Sequence, residues 1–541
     1  MPKPWTSDDA PGLLALAGIL LLMGAIIWPV GEFPLNDDWS YARAVQTTLE
    51  TGLPRFTGWT SLPLIAQTLW GALFCLPAGF SFAALRLSTA VAGLLGAWGL
   101  FALMRAAGRD RPTAFAAALV LAVNPLHVNL SHTFMTDVPF TAAALWALTG
   151  FLRAFSDPRP RWLWLGFLAS LAATLTRHTG LILPLAFFLA TLLGPPNALR
   201  TRAGALAAAT AAALLAFCAF ASAHLGLRPF WTSQGAELAA GLAAPLPILA
   251  RAGEITLTLG LFLLPFECFL RSSEPRPRAA WAFPLAAAAA LGLAALGIRL
   301  PLSGNILHAA GLGPVRLADV ATLGLPHLPP LPAGAWTLAT ALGMAGALLT
   351  ACRWIAPRRP RAPAPLASRQ ARLFLALCAA GLLAPMLVAG YMDRYLLPLL
   401  PLALLALPPS PPAHAPRSRA WLAAAALSLL LLGAFAAAAT RDYFSWNRAR
   451  WSALDDLVDR QRISPSRIDG GFEFNGSRLF DPAHPADRLP PPDKSWWWVD
   501  DDEYVIALGP IPGYVEQARH PFPRWLGPSP GEILVLRREA P

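Results

Sequence analysis

From Pro11 to Thr440 the chain repeats one pattern: a largely uncharged block rich in Ala, Leu, Val and Phe, then a short connection carrying arginine or proline. The blocks approach the roughly 20 apolar residues that an α-helix needs to cross a bilayer. Candidate spans fall at 11–30, 82–104, 112–130, 138–155, 162–177, 180–194, 203–223, 250–270, 280–298, 333–352, 372–390, 394–408 and 420–440, about thirteen in all. Only 13% of the residues are charged and 55% are hydrophobic, against about a quarter charged in an ordinary soluble domain. Lipid is therefore the solvent for most of the chain. Block 11–30 is followed by no small-residue cleavage site and reads as an uncleaved first helix. The five cysteines are scattered, with no CxxC, so there is no disulfide framework.

The formal charge of +11 would suit a nucleic-acid binder, but its distribution points elsewhere. Arg105, Arg109 and Arg111 follow the second span, and Arg153, Arg159 and Arg161 the fourth. Arg200 and Arg202 follow the sixth; Arg271, Arg276 and Arg278 the eighth; Arg353, Arg358, Arg359, Arg361, Arg369 and Arg372 the tenth; Arg417 and Arg419 the twelfth. All are even-numbered exits, hence one side, which the positive-inside rule makes the cytoplasm. The reading is a bacterial inner-membrane, multi-pass protein with a cytoplasmic N-terminus, and no nucleic-acid partner. The apolar stretch 61–77 would invert every later loop if it crossed, so it is expected to be interfacial or re-entrant.

Residues 1–440 are read as a mainly α transmembrane bundle with a first external loop at 31–81, and residues 441–541 as a small extracytoplasmic α/β domain. In the latter, 443–462 looks helical, and 471–474, 496–499, 504–508 and 532–537 look like strands between Pro- and Gly-rich turns.

The residues that stand out chemically cluster on the external side. Asp37 and Asp38 sit side by side at a membrane-helix exit, where charge is costly. Asp38 is placed to cap a helix from Trp39 to Thr51 ended by Gly52, with Trp39, Ala42, Val45 and Leu49 as a stripe on the membrane surface. Capping accounts for one Asp, not two. Asp137, just before Val138-Pro139, is a good N-cap for the fourth span. His132 lies five residues earlier, as a candidate ligand or proton partner. Arg177-His178 and Asp393-Arg394-Tyr395 break the positive-inside pattern. Snorkelling is the plain explanation; recognition of a lipid phosphate at that depth is the functional one. The run Trp496-Trp497-Trp498 suits burial in a small core more than stacking on a sugar, and Asp500-Asp501-Asp502 reads as a solvated turn.

Together these motifs resemble the GT-C membrane glycosyltransferases, in particular the family 39 protein O-mannosyltransferases and aminoarabinose transferases. The resemblance rests on Asp37-Asp38-Trp39-Ser40-Tyr41-Ala42 in the first external loop, Thr136-Asp137-Val138-Pro139 at the fourth span, Arg177-His178-Thr179-Gly180 after the fifth, and Arg394-Tyr395 opening a late helix. Asp38 departs from the family's usual Glu, and Ser40 stands where some members have Arg.

The resemblance implies transfer of a sugar from a polyprenyl-phosphate-linked donor to an acceptor hydroxyl of a glycan, lipid or protein, on the external face and with inversion. It makes Asp37 the candidate base, with Asp38 and Asp137 orienting acceptor or sugar. Arg177 and Arg394 become candidates for the phosphate, with Tyr41, His132, His178 and Tyr395 lining the substrate. Three carboxylates and His132 could ligate a divalent cation, but the resembling branch is understood to work without one, so no metal or other cofactor is expected. The competing class is a transporter or flippase for lipid-linked sugars, which would carry charges at mid-membrane and broken helices in matched halves.

Overall fold

A computed structural model describes residues 7–539, apart from 158, 195–197, 230–244, 274–279, 310, 326–330, 356–365, 367, 409–417 and 483–496. Arg276, Arg278, Arg358, Arg359, Arg361, Arg417 and Trp496 lie outside the described residues. Every expected apolar block is helical. In chain order these are α1 (Ala10–Ile27), α4 (Phe82–Ala106), α5 (Arg111–Ala122) with α6 (Pro125–Ser131), α7 (Asp137–Ala154), α8 (Pro160–Thr176), α9 (Ile182–Thr191) and α10 (Ala198–His224). They continue with α11 (Pro245–Ser272), α12 (Ala282–Ala295), α13 (Ala333–Ile355), α14 (Arg369–Val388), α15 (Leu399–Ala406) and α16 (Arg419–Asp455).

The expected blocks divide into long and shorter apolar helices. Among the described residues seven helices are long and apolar enough to cross a membrane alone, and the bent pair α5–α6 makes eight. Of the rest, α7 and α8, with 18 and 17 residues, reach the lower end of the spanning range, and the others are shorter. The ten residues of α9 rise only about 15 Å, half of a hydrocarbon core of about 30 Å. The pair α5–α6 bends by 61° because Pro125 forces Asn124 into extended backbone (ψ 131°). The Asn124 side chain then accepts the freed N–H groups of Leu126 and His127, at 3.0 and 3.4 Å.

Helices approach through glycine, since lipid supplies no hydrophobic drive between them. A Cβ on Gly150 of α7 would sit 2.4 Å from the Gly166 nitrogen of α8. One on Gly260 of α11 would sit 2.1 Å from the Gly343 oxygen of α13.

The loop arginines gather at one end. Arg111 pairs with Asp8 and Asp9, Arg109 donates to the Leu405 carbonyl, and Arg353 pairs with buried Glu267. At the other end α2 (Asp38–Thr51) and α3 (Ile65–Cys75) fill the loop after α1. With 11 residues, α3 is too short to cross. The α2 stripe turns inward: Trp39, Ala42 and Val45 are buried against protein rather than left to face lipid.

The 37 residues of α16 run unbroken through position 440, span about 55 Å, and carry the chain from the bundle into the C-terminal region. There a four-stranded sheet has the order β3 (Ile468–Asp469), β4 (Tyr504–Ala507), β6 (Gly531–Arg538), β5 (Tyr514–Phe522). The pair β3–β4 is parallel and the others are antiparallel. The expected strand at 471–474 is instead the start of α17 (Phe472–Leu479). Residues 497–499 are bends rather than a strand. Trp497 is buried against Trp39 and Phe472. Asp500 and Asp501 are exposed, whereas Asp502 is buried and pairs with Arg538. One apolar cluster joins Met23 and Ile27 of α1 to Phe444 of α16, Phe474 of α17 and Val535 of β6. Bundle and C-terminal region therefore share a core.

Candidate active site

Every candidate at the carboxylate end stands where an element starts or stops. Asp37 precedes α2, Asp137 is the first residue of α7, Arg177 is the extended break after α8, and Arg394 lies in the 3-10 turn Asp393–Leu396. Such breaks free side chains from the helix packing and aim them into the end of the bundle.

None of the candidate aspartates caps a helix. Asp37 occupies the N-cap position of α2 without bonding its backbone. Its Oδ1 instead accepts the Trp59 indole N–H at 3.1 Å, and its Oδ2 faces Arg394 Nη1 at 3.5 Å. Asp137 accepts Arg177 Nη2 at 2.7 Å, while Arg177 Nε donates to the Thr136 hydroxyl at 2.7 Å. The second oxygen of Asp137 is buried with no hydrogen-bond partner among the described residues. The two arginines converge on one ring: the guanidinium carbons of Arg177 and Arg394 lie 5.6 and 5.8 Å from the centre of Tyr395. Tyr41 completes the group. Burial and then the Asp37 carboxylate hold its hydroxyl well above its ordinary pKa, while Arg394, Arg177 and Asp137 also bear on it. Six candidates, Tyr41, Asp37, Asp137, Arg177, Arg394 and Tyr395, thus share one polar centre.

Three candidates stand apart. Asp38 is fully buried. Its Oδ1 accepts the Leu35 N–H at 2.5 Å and its Oδ2 the Phe134 N–H at 3.1 Å, which staples the α1 exit to the turn before α7. Burial pushes its carboxyl up to about 7, against the pull of Arg86 and the two N–H donors. Through Nδ1–H, His132 donates to the Val128 carbonyl at 2.7 Å. Its other nitrogen lies 3.6 Å from where a Cβ on Gly24 would stand, so the ring packs between α6 and α1. His178 is half-buried at the start of the 3-10 turn His178–Leu181. Among the described residues no three His, Cys, Asp or Glu side chains stand close enough to hold a metal ion.

Sequence reasoning missed the residues that hold these groups. Arg86 of α4 donates to the carbonyls of Pro29, Gly31 and Phe33, clamped between the Phe33 and Phe444 rings. A lone charge inside an apolar block was the available signal. Asp393 accepts the N–H groups of Ile306, Leu307 and Arg394, tying the Arg394 turn to the β1–β2 hairpin (Leu307–His308 and Gly311–Leu312). Trp59, which bonds Asp37 directly, carries no distinguishing local pattern.

Residues 63–225 match the family described as dolichyl-phosphate-mannose-protein mannosyltransferase. The match covers less than half of the chain and includes Thr136-Asp137 and Arg177, while Asp37 and Arg394 lie outside it. The resemblance read from the motifs is thus met over this segment. No curated protein matches the sequence. Among solved structures the chain is similar to ArnT from Cupriavidus metallidurans in the apo state, with 15% identity over 86% of this chain and 84% of that one, at a TM-score of 0.41. It is likewise similar to the same protein bound to undecaprenyl phosphate, with 15% identity over 97% of each chain and a TM-score of 0.42. The Archaeoglobus fulgidus oligosaccharyltransferase in the apo form is a third, with 17% identity over 84% of this chain and 59% of that one, and a TM-score of 0.45.

Proposed function

We propose that the chain is an integral membrane glycosyltransferase that moves a sugar from a polyprenyl-phosphate-linked donor to an acceptor hydroxyl at the extracytoplasmic face. The observation that carries this reading is the Asp37–Arg394 pair, with Asp137 and Arg177 beside it, at the end of the bundle opposite the arginine loops. The mannosyltransferase-family match over residues 63–225 supports it. A transporter would need its charges along a two-sided path rather than at one end.

The chemistry needs a base for the acceptor hydroxyl and a cation for the leaving phosphate. Asp37 takes the hydroxyl proton, the acceptor oxygen bonds the anomeric carbon, and the bond from that carbon to the phosphate oxygen breaks with inversion. The electron pair leaves on the lipid phosphate. The two arginines divide the work by how firmly each is engaged. Arg177 is committed to Asp137 at 2.7 Å, a tight charge-assisted bond. Arg394 meets Asp37 only at 3.5 Å, so an arriving phosphate can draw it away. That exchange frees Asp37 to act as base once the donor is seated. The unpartnered Asp137 oxygen then stands ready to accept a sugar or acceptor hydroxyl.

Mass spectrometry of glycans and lipid-linked intermediates in a deletion strain tests the reading. Loss of one modification with accumulation of its donor, restored by the wild-type gene and not by Asp37→Asn, is the expected result. A deletion strain with unchanged glycans and donor pools sinks it.

A further inference from the structure

We infer that the C-terminal domain is a working part of the site, and that Glu473 is a positioning residue for Asp37. The inference rests on the glycosyltransferase reading above and names what sets the aim of its base.

Asp37 is gripped on both sides by α17. On one side lies Asn36, whose backbone is left-handed (φ 59°), a conformation that Asn tolerates but that still needs support. Its N–H donates to Glu473 Oε1 at 2.9 Å across 437 residues of sequence. The other Glu473 oxygen accepts Arg450 Nη1 at 2.8 Å. Arg450 in turn donates to the Gly470 carbonyl at 2.8 Å and to Asn447 Oδ1 at 3.2 Å, which fixes the carboxylate to α16. Asn36, Glu473, Arg450 and Asn447 are each at most 1% exposed. This is a buried chain in which the Arg450 guanidinium balances the Glu473 carboxylate.

On the other side lies Trp39, two residues beyond Asp37. Its ring sits 5.3 Å from Phe480, 5.9 Å from Trp498 and 6.3 Å from Phe472. Gly476 of α17 leaves space for that ring, since a Cβ there would lie 2.5 Å from Trp39 Cε2. Trp59, which bonds Asp37, belongs to the same aromatic cluster. The Asn36 peptide before Asp37, the Trp39 ring two residues after it and the Trp59 donor to its carboxylate therefore all contact the C-terminal domain. A base must sit within hydrogen-bond reach of its proton, and a displacement near 1 Å can cost about 100-fold in rate.

The test uses the full-length protein in liposomes and three variants, with hydrogen–deuterium exchange over residues 33–41, turnover with a polyprenyl-phosphate-linked sugar, and binding of a polyprenyl phosphate alone. Glu473→Ala should lower kcat roughly 10- to 100-fold, leave the donor KM and polyprenyl-phosphate binding within about twofold, and speed exchange at residues 33–41. Glu473→Gln keeps an oxygen for the Asn36 N–H but turns an amide N–H toward Arg450 and removes its counter-charge, so it should recover only part of kcat. Gly476→Ala pushes on Trp39 and should repeat the kcat loss with Glu473 intact, which covers the case of an alanine variant that does not insert. Wild-type kcat in Glu473→Ala, or unchanged exchange at residues 33–41, overturns the inference. If the wild type transfers no sugar, the functional reading fails, and the exchange measurement alone decides whether Glu473 holds the loop.

Discussion

Arg394 Nη1 stands 3.5 Å from Asp37 Oδ2, which joins two residues 357 positions apart in a buried but loosely made ion pair. A base held this loosely keeps its reactivity. Asp37→Asn retains the shape and the Trp59 contact but cannot take a proton. Sugar transfer should fall by about 10²- to 10⁴-fold, with membrane insertion unchanged. Turnover at the wild-type rate in purified Asp37→Asn removes Asp37 from the base role.

Arg394 should report on the donor. A charge-assisted bond to phosphate contributes about 1.5–3 kcal/mol, so Arg394→Ala should weaken donor binding roughly 10- to 100-fold. Arg394→Lys should recover only part of that, because a point charge cannot reproduce the planar fork. Donor affinity is the readout; an unaltered value in Arg394→Ala would leave the leaving phosphate without its assigned cation.

How much of this site the sequence showed depends on what each residue does. The positions of Asp37, Asp137, Arg177 and Arg394 were legible because charge at a membrane edge is rare and loop arginines order the spans. Their partners were not, because Trp59 and Glu473 reach the centre only through folding, Glu473 from 437 residues beyond Asn36. Local rules also misled. Asp38 and Asp137 both fit N-cap patterns, yet one staples two loops and the other pairs with Arg177. Apolar length located every helical block but not its length, since hydropathy does not tell a long helix from shorter ones such as α9 and α12.

The Asp137–Arg177 pair should matter for stability as well as chemistry. The Asp137 side chain has no exposure and that of Arg177 has 11%. Removing one partner leaves a buried charge uncompensated, at a cost of about 3–5 kcal/mol. Asp137→Ala should therefore lower the thermal midpoint in detergent sharply, and Asp137→Ala with Arg177→Met should recover much of it. Additive losses in the double variant would show that the two side chains do not support each other.

Asp38 predicts a pH dependence whose sign can be worked out. Burial raises its carboxyl to about 7 from an ordinary 3.8, with Glu473 adding to the rise and Arg86 and the Leu35 and Phe134 N–H groups opposing it. The folded protein therefore holds this proton where the unfolded chain releases it. The resulting stability is fully present below pH 3.8 and is lost as pH climbs through about 7. At roughly 1.4 kcal/mol per pH unit, the whole change is about 4 kcal/mol. Other groups titrate in the same window, so the informative quantity is the stability of the wild type minus that of Asp38→Asn, followed from pH 4 to 8. Asn cannot titrate, and it can accept from only one of the two N–H donors. The difference should favour the wild type most at pH 4 and shrink steadily toward pH 7. A difference that is flat across this range, or that grows with pH, would mean that Asp38 is ionised in the fold and holds the α1 exit to the Phe134 turn as a carboxylate.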